Sequence, residues 1–378
     1  MKILLAVTST ALSYGGPAVS VVGLAQALVQ AGHSVAIWSP GDASQAPRSI
    51  PLYSEDGLQF HCRSLTECLR QFGRPNVIHD NGLWLWHHIE LARVAVRLQI
   101  PRIVSPRGAL VPWARAHKRF KKTVAWHFYQ RRALATAVAL HATSSEEGEH
   151  LRALRLQVPI FTIPNGLDPI DSGTVQSPGQ ENRPASAVRT ALYLGRLYPV
   201  KGLPHLLDAW AMLRPPFWRL MLAGPDEAGH RAQLERQAAR LGISDDIQFH
   251  QPVAGAAKTS LFRQADLFVM PSLSESFGQS IAEALQHGVA VLTTTATPWA
   301  VIHERQLGWY VPPTAEALAG ALREATALEE SERRAMGSRA AAFMELNFAW
   351  THLVNSYVDM YEQTIRQMSS QPVASAVC

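Results

Sequence analysis

The chain has 378 residues, 47% of them hydrophobic and 17% charged, which is material for two sizeable cores and makes two domains the natural expectation. No apolar run approaches the roughly 20 residues that a membrane-spanning helix needs, so no such helix is expected. The balance is basic, with a formal net charge of +5, and Cys62, Cys68 and Cys378 are too few and too badly spaced for a disulfide framework or a zinc site. That usage points to a reducing cytosol, and no metal-binding cluster is visible.

Strands alternate with helical stretches along the chain, which predicts parallel sheets. In the first half, strands are expected at Ile3 to Val7, Ser34 to Ser39, Asn76 to His79, Arg102 to Ser105, Val138 to Ala142 and Ile160 to Ile163. The apolar N-terminus leads to Gly15-Gly16-Pro17 rather than to a small-residue cleavage site, so it reads as a strand and not as a signal peptide. The loop Ser13-Tyr14-Gly15-Gly16-Pro17-Ala18 opens a helix running to about Gln30. Its glycines allow close approach to a phosphate or sugar, although a plain tight turn has the same composition. It lacks the G-x-G-x-x-G spacing of a dinucleotide site.

His79-Asp80-Asn81-Gly82-Leu83-Trp84 closes the third strand, and Ser105-Pro106-Arg107-Gly108 follows the fourth. Arg107 is a candidate ligand contact, with helix capping or interdomain packing as the alternative. His79 is ambiguous in the same way. Between Leu91 and Ser145 no acidic residue occurs, while Arg93, Arg97, Arg102, Arg107, Arg115, Lys118, Arg119, Lys121, Lys122, Arg131 and Arg132 all do. Phe120, Trp126, Phe128 and Tyr129 interleave with these cations. Lys118, Arg119, Lys121 and Lys122 therefore form either a surface that lies on anionic lipid or a solvated helix face with its aromatics turned inward. No base-reading motif accompanies them, so nucleic acid is not expected.

The stretch Asp171 to Ser186 breaks the alternation and is the expected linker. Beyond it, strands are expected at Leu192 to Leu194, Arg219 to Leu222, Ile247 to His250, Leu267 to Met270 and Ala290 to Thr293. Leu203, Leu206, Leu207, Trp210 and Leu213 form a helical core stripe with Pro204 near its start. The segment Pro271 to Leu285 reads as loop and helix after a buried strand, the helix running from Ile281 to Gln286 and closed by Gly288. Glu275 then sits in the loop at the strand's carboxyl end and Glu283 about one turn into the helix, whose start offers the amides of Gly278, Gln279 and Ser280 to an anion. Two carboxylates beside an anion site suit a nucleotide sugar. Its diphosphate takes the amide dipoles, while ribose and hexose hydroxyls donate to Glu283 and Glu275.

With Pro271-Ser272, Glu275, Phe277-Gly278 and Glu283-Ala284 in place, this segment resembles the E-x7-E signature of retaining glycosyltransferases of the GT-B fold. Tyr193-Leu194-Gly195-Arg196-Leu197-Tyr198-Pro199-Val200-Lys201-Gly202-Leu203 is similar to that family's G-R-x4-K-G loop, whose two cations hold the donor diphosphate. An arginine that forks two phosphate oxygens and a lysine that adds a compact charge suit a pyrophosphate leaving group. Gly15 and Gly16 resemble the glycine loop that the family places across the interdomain cleft from the phosphates. The chain departs from the family on the acceptor side: Asn81 stands where H-x-H-G members carry a second histidine, and Arg107 where many carry a histidine before glycine. Thr297-Pro298-Trp299 resembles members that build polysaccharides, and is equally a rigid turn with a packing tryptophan.

The resemblance implies an α/β protein of two Rossmann-like domains whose parallel sheets face an interdomain cleft. The expected boundaries are an acceptor-side domain at 1–168, a linker at 169–189, a donor domain at 190–346, a helix at 347–365 returning to the first domain, and a tail at 366–378. It implies a metal-independent, retaining hexosyltransferase with no cofactor beyond its nucleoside diphosphate sugar donor. The expected catalytic residues are Glu275, Arg196 and Lys201. The donor set is Gly15, Gly16, Phe277, Gly278, Gln279, Ser280 and Glu283, and the acceptor-side candidates are His79, Asp80, Asn81 and Arg107. The expected acceptor is a saccharide or lipid-linked saccharide in surface polysaccharide or lipopolysaccharide assembly, handled by a cytoplasmic protein held peripherally on the inner face of the cell membrane. Rival readings are a GT-B nucleotide-sugar epimerase or phosphorylase, and a non-catalytic, membrane-associated nucleotide-sugar binding subunit.

Overall fold

The computed structural model describes residues 1–11, 14–40, 61–62, 64–116, 119–170 and 188–370. Lys118, most of the expected linker and the end of the tail lie outside them. The chain divides into two compact units, Met1–Asp168 with Phe348–Cys378, and Pro169–Asn347.

Unit 1 holds a seven-stranded parallel sheet in the order β3-β2-β1-β4-β5-β6-β7. The strands are β1 (Lys2–Val7), β2 (Ser34–Trp38), β3 (His61–Cys62), β4 (Val77–Asn81), β5 (Arg102–Ser105), β6 (Ala139–Ala142) and β7 (Ile160–Thr162). Side chains alternate across a strand, so β1 feeds two cores. Ile3, Leu5 and Val7 pack with Leu24 and Leu28 of α1 (Gly16–Gln30) and with Tyr357 and Tyr361 of α15 (Trp350–Ser370). Leu4 and Ala6 pack on the opposite face with Trp38, Leu65, Phe72 and Leu91. Burial on both faces explains why β1 reads as an unbroken apolar run. Trp350 anchors α15 by lying on two glycines. A Cβ on Gly23 would come within 2.7 Å of its ring and one on Gly166 within 2.3 Å, so only glycine fits beneath it.

Unit 2 holds a six-stranded parallel sheet in the order β10-β9-β8-β11-β12-β13. These strands are β8 (Arg189–Leu194), β9 (Trp218–Ala223), β10 (Ile247–His250), β11 (Leu267–Met270), β12 (Val291–Thr294) and β13 (Gly308–Val311). The helical stripe anticipated from the sequence is α8 (Leu203–Leu213), with Leu203, Leu206, Leu207 and Trp210 buried.

Neither β3 nor β13 was legible as a strand: the first is two residues long, and every residue of the second is half-buried, which erases the apolar signal. β4 also runs two residues past the expected end, pairing Asp80 with Ala6 and Asn81 with Val7. Both sheets reverse direction at one place, between β1 and β4 in unit 1 and between β8 and β11 in unit 2. In open parallel sheets the carboxyl ends of the strands at such a reversal form the ligand crevice.

Candidate functional site

At the unit 2 reversal, the loop after β8 carries Arg196 and Lys201, and the loop after β11 carries Glu275. The two loops are stitched together. Leu273 donates its amide to Val200 O at 2.8 Å, and Lys201 Nζ pairs with Glu275 Oε1 at 2.5 Å. Gly202, in the left-handed region at φ 66°, lets them meet, since a Cβ there would sit 2.0 Å from Pro271 O. Ser272 Oγ also donates to Glu275 Oε1 at 2.8 Å, so the carboxylate is held from two sides. The ion pair is not sealed: Lys201 is 14% exposed and Glu275 12%.

Arg196 lies further out, paired with Glu227 at 2.6 Å and resting on the Tyr198 ring. Its backbone is fixed from beneath by Tyr193, whose hydroxyl donates to Arg196 O at 2.7 Å. Burial, reinforced by the nearby Glu275 charge, pushes the Tyr193 pKa well above its ordinary value, so the phenol stays a neutral donor.

The expected helix after Glu275 is α11 (Gln279–Gln286), two residues longer at its start than the apolar pattern suggested. Its first intrahelical bonds come from Ile281 and Ala282, both to Gly278 O, which leaves the amides of Gln279 and Ser280 ahead of the ladder. Gly278 makes the turn at φ 85°. Phe277 is buried against Trp299, whose Nε1 donates to Phe277 O at 2.5 Å, so the Thr297-Pro298-Trp299 turn props up the loop from below. Glu283 sits on the first turns of α11, 8% exposed and paired with Lys258 of α10 (Gly255–Gln264) at 2.6 Å.

At the unit 1 reversal, Gly15 takes φ 87° and caps α1, with Gly16 its first residue and Pro17 next. On β4 the acceptor-side candidates face inward. His79 is wholly buried, Nδ1 bonding Tyr361 OH at 2.9 Å and Nε2 bonding Ser105 Oγ at 2.7 Å. Asp80 is wholly buried between His88 at 2.6 Å and Arg102 at 2.9 Å. Both present their polar atoms to the protein, because β4 is a central strand covered on both faces. Desolvation holds the His79 pKa well below its ordinary value, and brings neighbouring His141 down to about 3. Asn81 is buried too, and its Oδ1 accepts from Arg107 Nε at 3.1 Å and Nη2 at 2.7 Å. Arg107 also bonds Asn165 through Nη1 and adopts φ 53°, a left-handed conformation uncommon for arginine.

Arg119, Lys121 and Lys122 lie on α5 (Arg119–Ala125), which runs through a π-helical turn (Trp126–Gln130) into α6 (Arg131–Ala135). The aromatics here divide: Phe120 and Phe128 face solvent at 82% and 74% exposure, whereas Trp126 and Tyr129 are half-buried. Among the described residues no cluster of three or more metal-ligating side chains occurs, and no helix is long and apolar enough to cross a membrane.

The positions that sequence reasoning missed are the partners Glu227, Lys258 and Asn165. Each comes from a different loop or helix than the residue it holds, and carries no motif of its own.

Residues 180–343 match the family model Glycosyl transferases group 1, and residues 15–166 match Glycosyl transferase 4-like domain. The chain is 28% identical over 294 residues to the GDP-mannose:cellobiosyl-diphosphopolyprenol alpha-mannosyltransferase of Xanthomonas campestris, covering 77% of this chain and 74% of that protein. It is 34% identical over 219 residues to the D-inositol 3-phosphate glycosyltransferase of Streptomyces griseus, a match spanning 53% of this chain but only 45% of that relative. Its backbone superposes on Anabaena HepE, solved with UDP and glucose, at a TM-score of 0.73 and 18% identity, covering 96% of this chain and all of that one. It also superposes on WaaG, a glycosyltransferase involved in lipopolysaccharide biosynthesis, at 0.69 and 16% identity, covering 95% and 99%. The fold is GT-B.

Proposed function

We propose, from the glycosyltransferase family model that matches each unit and the GT-B fold, that the chain is a glycosyltransferase that moves a sugar from a nucleoside diphosphate donor to an acceptor hydroxyl with retention of anomeric configuration. The observation that carries this reading is the unit 2 reversal, where Lys201 and Glu275 form a half-open ion pair beside the leading amides of α11. An anion arriving there competes with Glu275 for Lys201. Once Lys201 turns to the diphosphate, Glu275 is free to accept from the hydroxyls of the sugar.

Arg196, Lys201 and the α11 N-terminus stabilise the charge that develops on the leaving diphosphate. Glu283 accepts from the ribose and Lys258 moves aside. Attack comes from the front face: the acceptor oxygen forms the new glycosidic bond as the bond to the diphosphate breaks, and a donor phosphate oxygen takes the acceptor proton. No metal enters this scheme, since the cations of the β8 loop meet the phosphate charge.

The acceptor reading is a lipid-linked saccharide in surface polysaccharide or lipopolysaccharide assembly, met by unit 1. Its supports are the similarity to the Xanthomonas diphosphopolyprenol mannosyltransferase and the exposed aromatics among the cations of α5 and the π-helical turn after it. Arg119, Lys121 and Lys122 attract anionic lipid while Phe120 and Phe128 enter its surface, holding the protein peripherally. Each such cation contributes about 1 kcal/mol near an anionic bilayer, enough in sum for reversible attachment.

The test is thermal stabilisation by UDP-, GDP-, ADP- and TDP-sugars, since a ligand that binds only the folded state raises Tm by mass action. A rise with one base, lost in Lys201→Ala, is expected. No response to any donor, with no turnover on a lipid-linked acceptor, overturns the reading in favour of a binding subunit. A sugar nucleotide that changes configuration without acceptor identifies an epimerase.

A further inference from the structure

Unit 1 holds a cleft of about 540 Å³ that the donor chemistry does not use, lined by Trp84, Arg115, Arg119, Lys122, Trp126 and His127 among others. Three features distinguish it from an ordinary surface groove. Its charge has one sign: three cations line it, and the chain has no acidic residue anywhere from Leu91 to Ser145. Its cations rest on its aromatic walls, the Lys122 ammonium 5.6 Å from the Trp84 ring centre and the Arg115 guanidinium 5.7 Å from that of Trp126. The two tryptophans are neighbours, with ring centres 6.4 Å apart.

One wall is also held in a costly conformation. Trp84 sits at φ 73°, a region that bulky side chains avoid, and is pinned there by two bonds. Its amide donates to Gln130 Oε1 at 3.1 Å and its indole Nε1 to Ala109 O at 3.2 Å. Gln130 is 1% exposed and closes the π-helical turn that begins at Trp126, so one irregular turn sets both tryptophans. Backbone strain and π-turns both concentrate where a site is being shaped.

Three cations and two tryptophan rings lining one cleft fit a ligand that is anionic at one end and apolar beside it. We infer that this cleft binds the phosphate of a lipid-borne phosphate ester, with Arg115 and Arg119 on the phosphate and Trp84 and Trp126 along the first carbons of the chain. Phe120 and Phe128, exposed on the same helical run, mark the side from which the lipid arrives. The proposal rests on the lipid-linked acceptor reading and gives it a place. Saccharide beyond the phosphate is then presented by unit 1, rather than recruited from solution.

The probe is monododecyl phosphate below its micelle concentration, titrated calorimetrically into the full chain with no donor present. Saturable binding is expected, weakened at least about tenfold in the double variant Arg115→Gln/Arg119→Gln, the scale of losing one or two charge-assisted bonds. Thr123→Trp, which fills the cleft from an exposed position, is expected to weaken it likewise without touching a cation. Phe120→Ser/Phe128→Ser should leave this monomeric binding intact while reducing flotation with anionic vesicles. Equal binding of dodecyl maltoside would reduce the cleft to an apolar groove. Equally tight, Arg115-dependent binding of inorganic phosphate would make it a site for free phosphate. Loss only in the phenylalanine variant would leave a membrane patch and no site. Any of these overturns the proposal, and none depends on the donor site, whose failure the nucleotide-sugar panel reports separately.

Discussion

Asp80 at the unit 1 reversal and Glu275 at the unit 2 reversal are both carboxylates paired with a cation, yet they stand in different solvents. Asp80 and its partners Arg102 and His88 are at most 3% exposed, whereas Glu275 and Lys201 keep 12% and 14% of their surfaces in contact with water. A fully buried charge must be satisfied by the fold itself, because losing its partner strands it in a low dielectric. A half-open pair can exchange its partner for a ligand at modest cost. A carboxylate–cation pair near the reversal of each sheet thus serves as a structural brace within the strand of one unit and as a candidate ligand site in the loop of the other.

Breaking the brace should produce the largest change. Asp80→Ala leaves Arg102 uncompensated and should destabilise the protein by about 3–5 kcal/mol, read as a shift of the urea midpoint. Glu275→Gln at the open site should move that midpoint far less. Next comes Lys201→Ala, expected to lower kcat about 10²–10³-fold, the scale of removing one preorganised donor from a developing anion, with Tm almost unchanged. A normal rate would end the assignment of Lys201 to the leaving group.

The contrast extends to pH. His79 and His141 have pKa values depressed by burial, His141 from 6.5 to about 3. The unfolded chain therefore binds protons below pH 6.5 that the folded chain refuses. Stability that is complete above that point is lost as pH falls from about 6.5 toward 3. Urea midpoints at pH 7 and pH 5 should differ, and His141→Gln should narrow the gap.

The smallest effects sharpen the comparison. Glu283→Ala should weaken nucleotide affinity by about 1–2 kcal/mol, roughly five- to thirty-fold, measured by calorimetry. Tyr361→Phe removes one buried partner of His79 and should cost about 1 kcal/mol of stability while leaving nucleotide affinity alone.

Much of unit 2 was legible in the sequence. Glu275, Arg196 and Lys201 are legible as candidates because a short loop between a buried strand and a helix start needs glycine and places its polar residues outward, whereas Glu283 is read from its spacing on the helix that follows. The acceptor side was harder to read. The extension of β4 through Asn81 turned Asp80 from a loop candidate into a core group, and nothing local to His79-Asp80-Asn81 distinguishes the two outcomes. Trp84 and Gln130 carry no motif, so the cleft they shape was visible only as a basic, aromatic stretch.

The sequence by itself determined the alternation of apolar strands and helices, the glycines at tight turns and the charge excess of Leu91 to Ser145, since these depend on neighbours along the chain. Tertiary structure alone decided which charges meet. Lys201 finds Glu275 across 74 positions and His79 finds Tyr361 across 282. Such pairs are set by sheet order and by the return of α15, and the exposure left at each pair separates a brace from a site.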